Sequence, residues 1–248
     1  MSTLGDLHGK RALLVGVGGL GSPAAIVLAN AGVGTLGIAD DDAVELSNLH
    51  RQVLFEDADV GRHKVDAAAD ALAAWAPGAT FEVVRHKTRV LPSNARDLVR
   101  GYDVVVEGSD NFATKFMVAD ACVLEKVAVV HGSAVRWHGT ALAVSAAGQP
   151  CYRCLFEDIP HEHAPNCAEA GVMGPLVGVI AAIQADLALR LLAGQEVGGE
   201  LATFDGKTDE HRQRRIARRP DCPLCGLARI QTIDLSRYVP ASCDSPSL

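Results

Sequence analysis

Gly16, Gly18 and Gly21 stand in the spacing GxGxxG, with Gly19 as an extra glycine. Glycines at this spacing permit a tight strand-to-helix turn and let phosphates come close to the backbone, where the following helix offers free N–H groups and a positive dipole end. Asp40 ends the next apolar run about twenty residues on, the place of a ribose-binding acid. The motif points to an adenine nucleotide without saying which. The stretch after Asp40 bears on that choice. A dehydrogenase needs little positive charge there, because NAD carries only a pyrophosphate. This chain continues with Asn48, Arg51 and Lys64, and places Asp110 and Asn111 just past a fourth apolar run. Ligands of open α/β sheets lie at the C-terminal ends of the strands. Two cations facing a glycine loop, with a carboxylate opposite, suit a triphosphate with Mg²⁺. Each residue also has a plain structural reading. Arg51 could pair with a surface acid, Lys64 could be a solvated lysine at a helix start, and Asp110 could cap a helix.

The seven cysteines are a second chemical resource. Cys151 and Cys154, and Cys222 and Cys225, form two CxxC pairs, which together can supply the four thiolates of a tetrahedral zinc site. A redox CxxC or unpaired cysteines are the alternatives. Cys167 lies in a polar stretch with His161 and His163 close in sequence. The histidines could favour its thiolate, the three could hold a metal, or Cys167 could be inert. Cys122 reads as a core residue on a helix face, and Cys243, in a Ser/Pro-rich tail, as incidental. An odd count in a chain of 248 residues fits a reducing compartment better than a disulfide framework.

These residues need a scaffold, and the pattern around them describes one. Apolar runs at 12–17, 35–39, 80–84, 103–106 and 127–131 read as strands. They alternate with helical stretches at 23–31, 62–75, 94–100 and 111–125. Such alternation predicts parallel βαβ units with helices on both faces. From Thr140 the texture changes. "TALAVSA" reads as a strand, residues 155–170 as a mobile loop, and the apolar stretch that follows as a core helix to about Leu192. "ELATFDG" and "HRQRRIARR" read as antiparallel strands. The expected fold is α/β and Rossmann-like: a largely parallel sheet continuing into antiparallel strands. One domain over 1–226 is expected, with a nucleotide-binding half to about 135, a second half beyond it, and a tail over 227–248.

Apolar residues make up 48% and charged residues 21%, an ordinary globular balance. A net charge of −7 argues against broad nucleic-acid binding. No leader is visible, and the run Gly171–Ile183 is too short to span a bilayer. No membrane partner and a cytoplasmic location are expected. Arg212, Arg214, Arg215, Arg218 and Arg219 form a basic run. It reads as a solvated strand face, with docking of an acidic partner as the alternative.

"GVGGLGSPAA", "DDDAVELSNLHRQ", "VGRHK", "GSDNFATK", "CYRC", "CAEAGVMGPLVGVIAAIQA" and "RRPDCPLCG" occur in that order from Gly16 to Gly226. In them the chain resembles the MoeB/ThiF/HesA family, whose members resemble ubiquitin-activating enzymes. These proteins adenylate the C-terminus of small ubiquitin-like sulfur carriers ending in Gly-Gly. The resemblance implies that the glycine loop lies along ATP and that Asp40 holds the ribose, with Asp42 as a second acid nearby. It implies that Asn48, Arg51 and Lys64 contact the phosphates, Asp110 binds Mg²⁺ beside Asn111, and the four paired cysteines hold a structural Zn²⁺. Cys167 stands where the family carries a loop cysteine that in some relatives links covalently to the carrier. A homodimer is implied as well.

The chain departs from the family pattern at several points. Relatives begin with an arm whose arginine reaches the partner subunit's ATP site. This chain opens on "MSTLGDLHGKRALLVG", so that arginine is expected to be missing or replaced, and Lys10 and Arg11 do not substitute for it. Lys115 stands where relatives often have arginine, which would lose bidentate geometry on a phosphate. With no rhodanese-like domain, any sulfur donor is expected to be a separate protein. An NAD-dependent oxidoreductase and a non-catalytic nucleotide-binding relative are the competing readings.

Overall fold

The computed structural model describes residues 5–160 and 171–238. Strands β1 (Arg11–Val15), β2 (Thr35–Ala39), β3 (Glu82–His86), β4 (Val104–Glu107) and β5 (Ala128–Val135) pair in parallel in the order β3-β2-β1-β4-β5. Strands β6 (His138–Val144), β7 (Glu200–Asp205) and β8 (Glu210–Arg215) extend the same sheet with antiparallel pairings. The expected switch from parallel to antiparallel is therefore found, in one eight-stranded sheet.

Helices cover both faces: α1 (Gly21–Asn30), α2 (Lys64–Trp75), α3 (Ala95–Val99), α4 (Phe112–Glu125), the short α5 (Tyr152–Leu155) and α6 (Gly174–Leu192). Strands buried on both sides read as continuous apolar runs rather than alternating ones. Along β1, Leu14 packs into one core with Leu28 of α1, Leu72 of α2 and Ala188 of α6, while Leu13 and Val15 face the other core with Phe116 of α4. Burying a side chain such as Leu13 or Leu14 contributes about 1.5–3 kcal/mol.

Helix α6 is long and apolar enough, by length and composition, to cross a membrane. Here it lies across the sheet. Its fully buried Gln184 donates through Nε2 to the carbonyls of Glu107 and Val130, at 2.7 and 2.8 Å.

Some boundaries differ from the sequence expectation. β3 starts two residues beyond Thr80 because this edge strand is only partly covered and carries a weak apolar signal. β5 runs on to Val135 because β6 turns back and pairs with Gly132–Val135. The expected strand over "HRQRRIARR" ends at Arg215, after which the chain turns toward Cys222.

Candidate functional site

In the parallel half all strand C-termini meet one edge, and neighbours of β1 lie on both sides of it. This is the switch point where α/β sheets hold ligands. Gly16 leaves β1 at φ +82°, a region that favours glycine, and a Cβ on Gly21 would lie 2.0 Å from the Gly16 carbonyl oxygen. The spacing of the motif is thus dictated by the turn itself. A Cβ on Gly16 would touch the Gly108 carbonyl at 3.4 Å, so the loops after β1 and β4 pack on each other. At the start of α1, Leu20 supplies no side-chain cap, and Ser22 N donates to the Gly18 carbonyl at 2.9 Å.

Asp40 ends β2 beside this loop. Its carboxylate accepts from Val17 N and Asp42 N, both at 2.9 Å. Burial raises its pKa, while the nearby Lys64 and the two backbone donors oppose the rise. Lys64 is only 5% exposed, and its Nζ lies 2.7 Å from Asp42 Oδ2. Arg51 is half-buried, its stem within 3.4 Å of where a Cβ on Gly19 would sit, and it donates through Nη2 to Asn48 Oδ1 at 2.7 Å. Both cations are therefore held at the glycine-loop end of the sheet rather than turned into solvent. The start of α6 closes this corner: a Cβ on Gly19 would be 2.9 Å from Val177, and one on Gly174 would be 2.8 Å from the His50 carbonyl. A Cβ on Gly18 would lie 3.5 Å from the buried side-chain amide of Gln52.

Across the loop, Asp110 is exposed and has no hydrogen-bond or ion-pair partner among the described residues. The capping role open to it belongs to Asn111, whose side chain accepts from Thr114 N at 2.9 Å. Among the described residues Asp110 thus has no capping or pairing role. Lys115, which stands where relatives often have arginine, is buried and donates to Glu107 Oε2 at 2.9 Å and to the Gly132 carbonyl at 2.6 Å. Arg11 binds the Gly101 carbonyl at the opposite end of β1, away from the glycine loop.

Sequence reasoning missed Glu107 altogether. It is fully buried at the end of β4 and accepts from Ser109 N at 2.8 Å, the Ser109 hydroxyl, Lys115 and His131 Nδ1 at 3.2 Å. Its only sequence signal was a charged residue closing an apolar run. Also missed was Arg153, buried between two of the cysteines, which holds Asp120 at 2.8 and 2.9 Å.

The two CxxC pairs converge. Cys151, Cys154, Cys222 and Cys225 place their sulfurs within 4.8 Å of one another, with separations of 3.9, 3.5 and 3.4 Å for three of the pairs. Four thiolates at about 2.3 Å from one ion stand about 3.8 Å apart, so the donor set fits tetrahedral zinc. Burial raises the Cys151 and Cys225 thiols, the latter to about 11, and repulsion from neighbouring thiolates adds to it. For Cys222, burial is outweighed by backbone N–H groups of Cys225 and Leu224, which lower it. A divalent cation is the species that would let all four ionise together. Arg219 N also points at Cys154 Sγ, at 3.4 Å. This set can hold a metal with no open coordination position. Cys122 is fully buried in the core, as expected. Cys167, His161, His163 and Cys243 lie outside the described residues.

The basic run follows its plain reading. β8 is exposed along its length. Arg212 pairs with Glu210 and Arg215 with Glu200, while Arg218 and Arg219 turn back to the Cys225 carbonyl and Glu157.

The strand order and the glycine-rich turn at the switch point together define a doubly wound α/β domain. The profile of the ThiF family matches residues 2–224, and the chain belongs to that family. A SAMP-activating enzyme E1 from Haloferax volcanii is 41% identical over 95% of this chain and 87% of its own length. The adenylyltransferase and sulfurtransferase MOCS3 of Culex quinquefasciatus is 42% identical over 89% of this chain, and the Bos taurus protein of that name is 44% identical over 91%. The chain spans about half the length of these two MOCS3 relatives. Among solved structures, E. coli MccB with ATP superposes with a TM-score of 0.79 over 90% of this chain and 69% of its own, at 19% identity, which bears on the fold alone.

Proposed function

We propose that this protein is an adenylyltransferase that activates the C-terminal glycine carboxylate of a ubiquitin-like sulfur carrier, forming acyl-adenylate and pyrophosphate. The observation that carries the reading is that Arg51, Asn48 and Lys64 lie near one end of the glycine loop, with Asp110, which has no partner among the described residues, on the adjoining turn. The names of the relatives point to the same chemistry.

Both reactants are anions. At about 4 Å a unit-charge pair repels by roughly 4 kcal/mol at an effective dielectric near 20. Arg51 and Lys64 would offset that repulsion and stabilise the charge that moves onto pyrophosphate. Asp40 would accept the ribose hydroxyls, with Asp42 reached through Lys64. Gly16, Gly18, Gly19 and Gly21 would leave room for the nucleotide, and Asn111 would hold the turn. Asp110 would hold Mg²⁺, which supplies charge neutralisation at the phosphates. The attacking carboxylate is already ionised near neutral pH, so no general base is required. The four cysteines would hold Zn²⁺ structurally. Cys167 as a covalent carrier site, a homodimer and a cytoplasmic setting complete the proposal.

The test is pyrophosphate exchange with ATP against a panel of small proteins ending in Gly-Gly. Asp110→Ala and Arg51→Ala are each expected to abolish exchange while leaving the circular dichroism spectrum unchanged. Wild-type exchange in both variants would remove the basis of the assignment, as would tighter binding of NAD than of ATP.

A further inference from the structure

Glu107 ends β4, the strand beside β1, and its carboxylate ties the turn that carries Asp110 to α4 and β5. Oε1 accepts from both the backbone N–H and the hydroxyl of Ser109. Oε2 accepts from Lys115 on α4 and from His131 on β5. The Glu107 carbonyl accepts from Gln184 on α6 at 2.7 Å. Between Glu107 and Ser109, Gly108 lies against the glycine loop. A Cβ there would be 3.1 Å from Leu20 and 3.4 Å from Gly21 N. The turn is therefore pressed onto the glycine loop on one side and drawn inward by the carboxylate on the other.

From this geometry we infer that Glu107 is a positioning residue: it fixes the Gly108–Ser109 turn so that Asp110 faces the glycine loop. The inference rests on the proposed role of Asp110 as the metal-binding acid. Four donors meet the carboxylate, and an ionised carboxylate is acceptor-only with about four lone-pair sites. Glutamine in its place turns an NH₂ toward donors. If its oxygen stays on Ser109, the NH₂ meets the Lys115 ammonium and the His131 N–H. If it flips, the turn is released. Shape is kept in either case, and the grip on the turn or its anchor is lost.

The experiment is calorimetric titration of the full-length protein with a non-hydrolysable ATP analogue over a series of Mg²⁺ concentrations. Glu107→Gln is expected to weaken Mg²⁺-dependent binding about tenfold, the scale of one charge-assisted hydrogen bond, with little change in the Mg²⁺-free affinity. Ser109→Ala, a half-buried change that leaves the carboxylate in place, is expected to weaken it about threefold. Asp120→Asn, at an equally buried carboxylate that makes no hydrogen bond to Glu107 or to the turn, is expected to lower thermal stability but keep the Mg²⁺ dependence. A folded Glu107→Gln protein with the wild-type Mg²⁺ dependence overturns the inference. If that variant does not fold, an unchanged dependence in Ser109→Ala overturns it. An equal loss in Asp120→Asn also overturns it, because general loosening would then account for the effect. Asp110→Ala separates the underlying assignment: if its Mg²⁺ dependence matches wild type, it is the metal role of Asp110 that fails.

Discussion

Asp120 sits fully buried on α4, where Arg153 grips both of its oxygens and Tyr238 donates to Oδ2 at 2.9 Å. Breaking a buried pair by removing one partner's charge costs about 3–5 kcal/mol. Asp120→Asn is accordingly expected to lower urea-unfolding stability on that scale, and a loss under about 1 kcal/mol would contradict it. Glu107 and His131 add a pH dependence. Burial works to raise the Glu107 pKa from 4.5, but Lys115, then His131 and Ser109, hold it at about 2. Its folded value is below its unfolded one, so its contribution is complete above pH 4.5 and is lost as pH falls toward 2. Burial lowers His131 below 6.5, so its neutral form is favoured and protonation below that pH costs stability. The melting temperature is expected to decline below pH 6.5 and to fall faster below 4.5. A flat profile across both windows would refute the two assignments. The residues legible in the sequence were those announced by a local motif: the glycines, Asp40, Asn48, Arg51, Lys64 and the cysteine pairs. Glu107 was not legible, because the partners that give it meaning arrive from α4, β5 and α6.

Among the elements, α1, α2 and α4 were visible in the sequence because alanine-rich or amphipathic stretches closed by turn residues have few other solutions. α5 was not, since four residues that overlap the first cysteine pair carry no period, and its shape follows from bringing both sulfurs to one point. Two helix starts can be tested. Asn111→Ala removes the α4 cap and is expected to cost about 1 kcal/mol of stability by chemical denaturation. Gly21→Ala places a methyl 2.0 Å from the Gly16 carbonyl oxygen. It is expected to displace the glycine loop and abolish ATP binding, a result that a wild-type calorimetric isotherm would contradict.

For the molecule as a whole, the parallel half supplies the cleft and the antiparallel half leads the chain to the second pair of cysteines. Their convergence could not be read from spacing alone, because 71 residues separate Cys151 from Cys222. Elemental analysis of purified protein is expected to find about one zinc per chain. Stripping it with a chelator is expected to lower the melting temperature and raise the protease sensitivity of the chain after β6. An unchanged melting curve would mean that the cluster has no structural ion. The same 71-residue span has a consequence for how the protein is made. A ribosome releases the chain from its N-terminus, domain units first. All five parallel strands, ending at Val135, precede Cys222 and Cys225 in the order of synthesis. The nucleotide edge can therefore take shape on the nascent chain before the second pair of cysteines has been made. If the cluster holds zinc as proposed, a cell short of it is expected to accumulate molecules whose parallel sheet has formed while the cysteine cluster stays open.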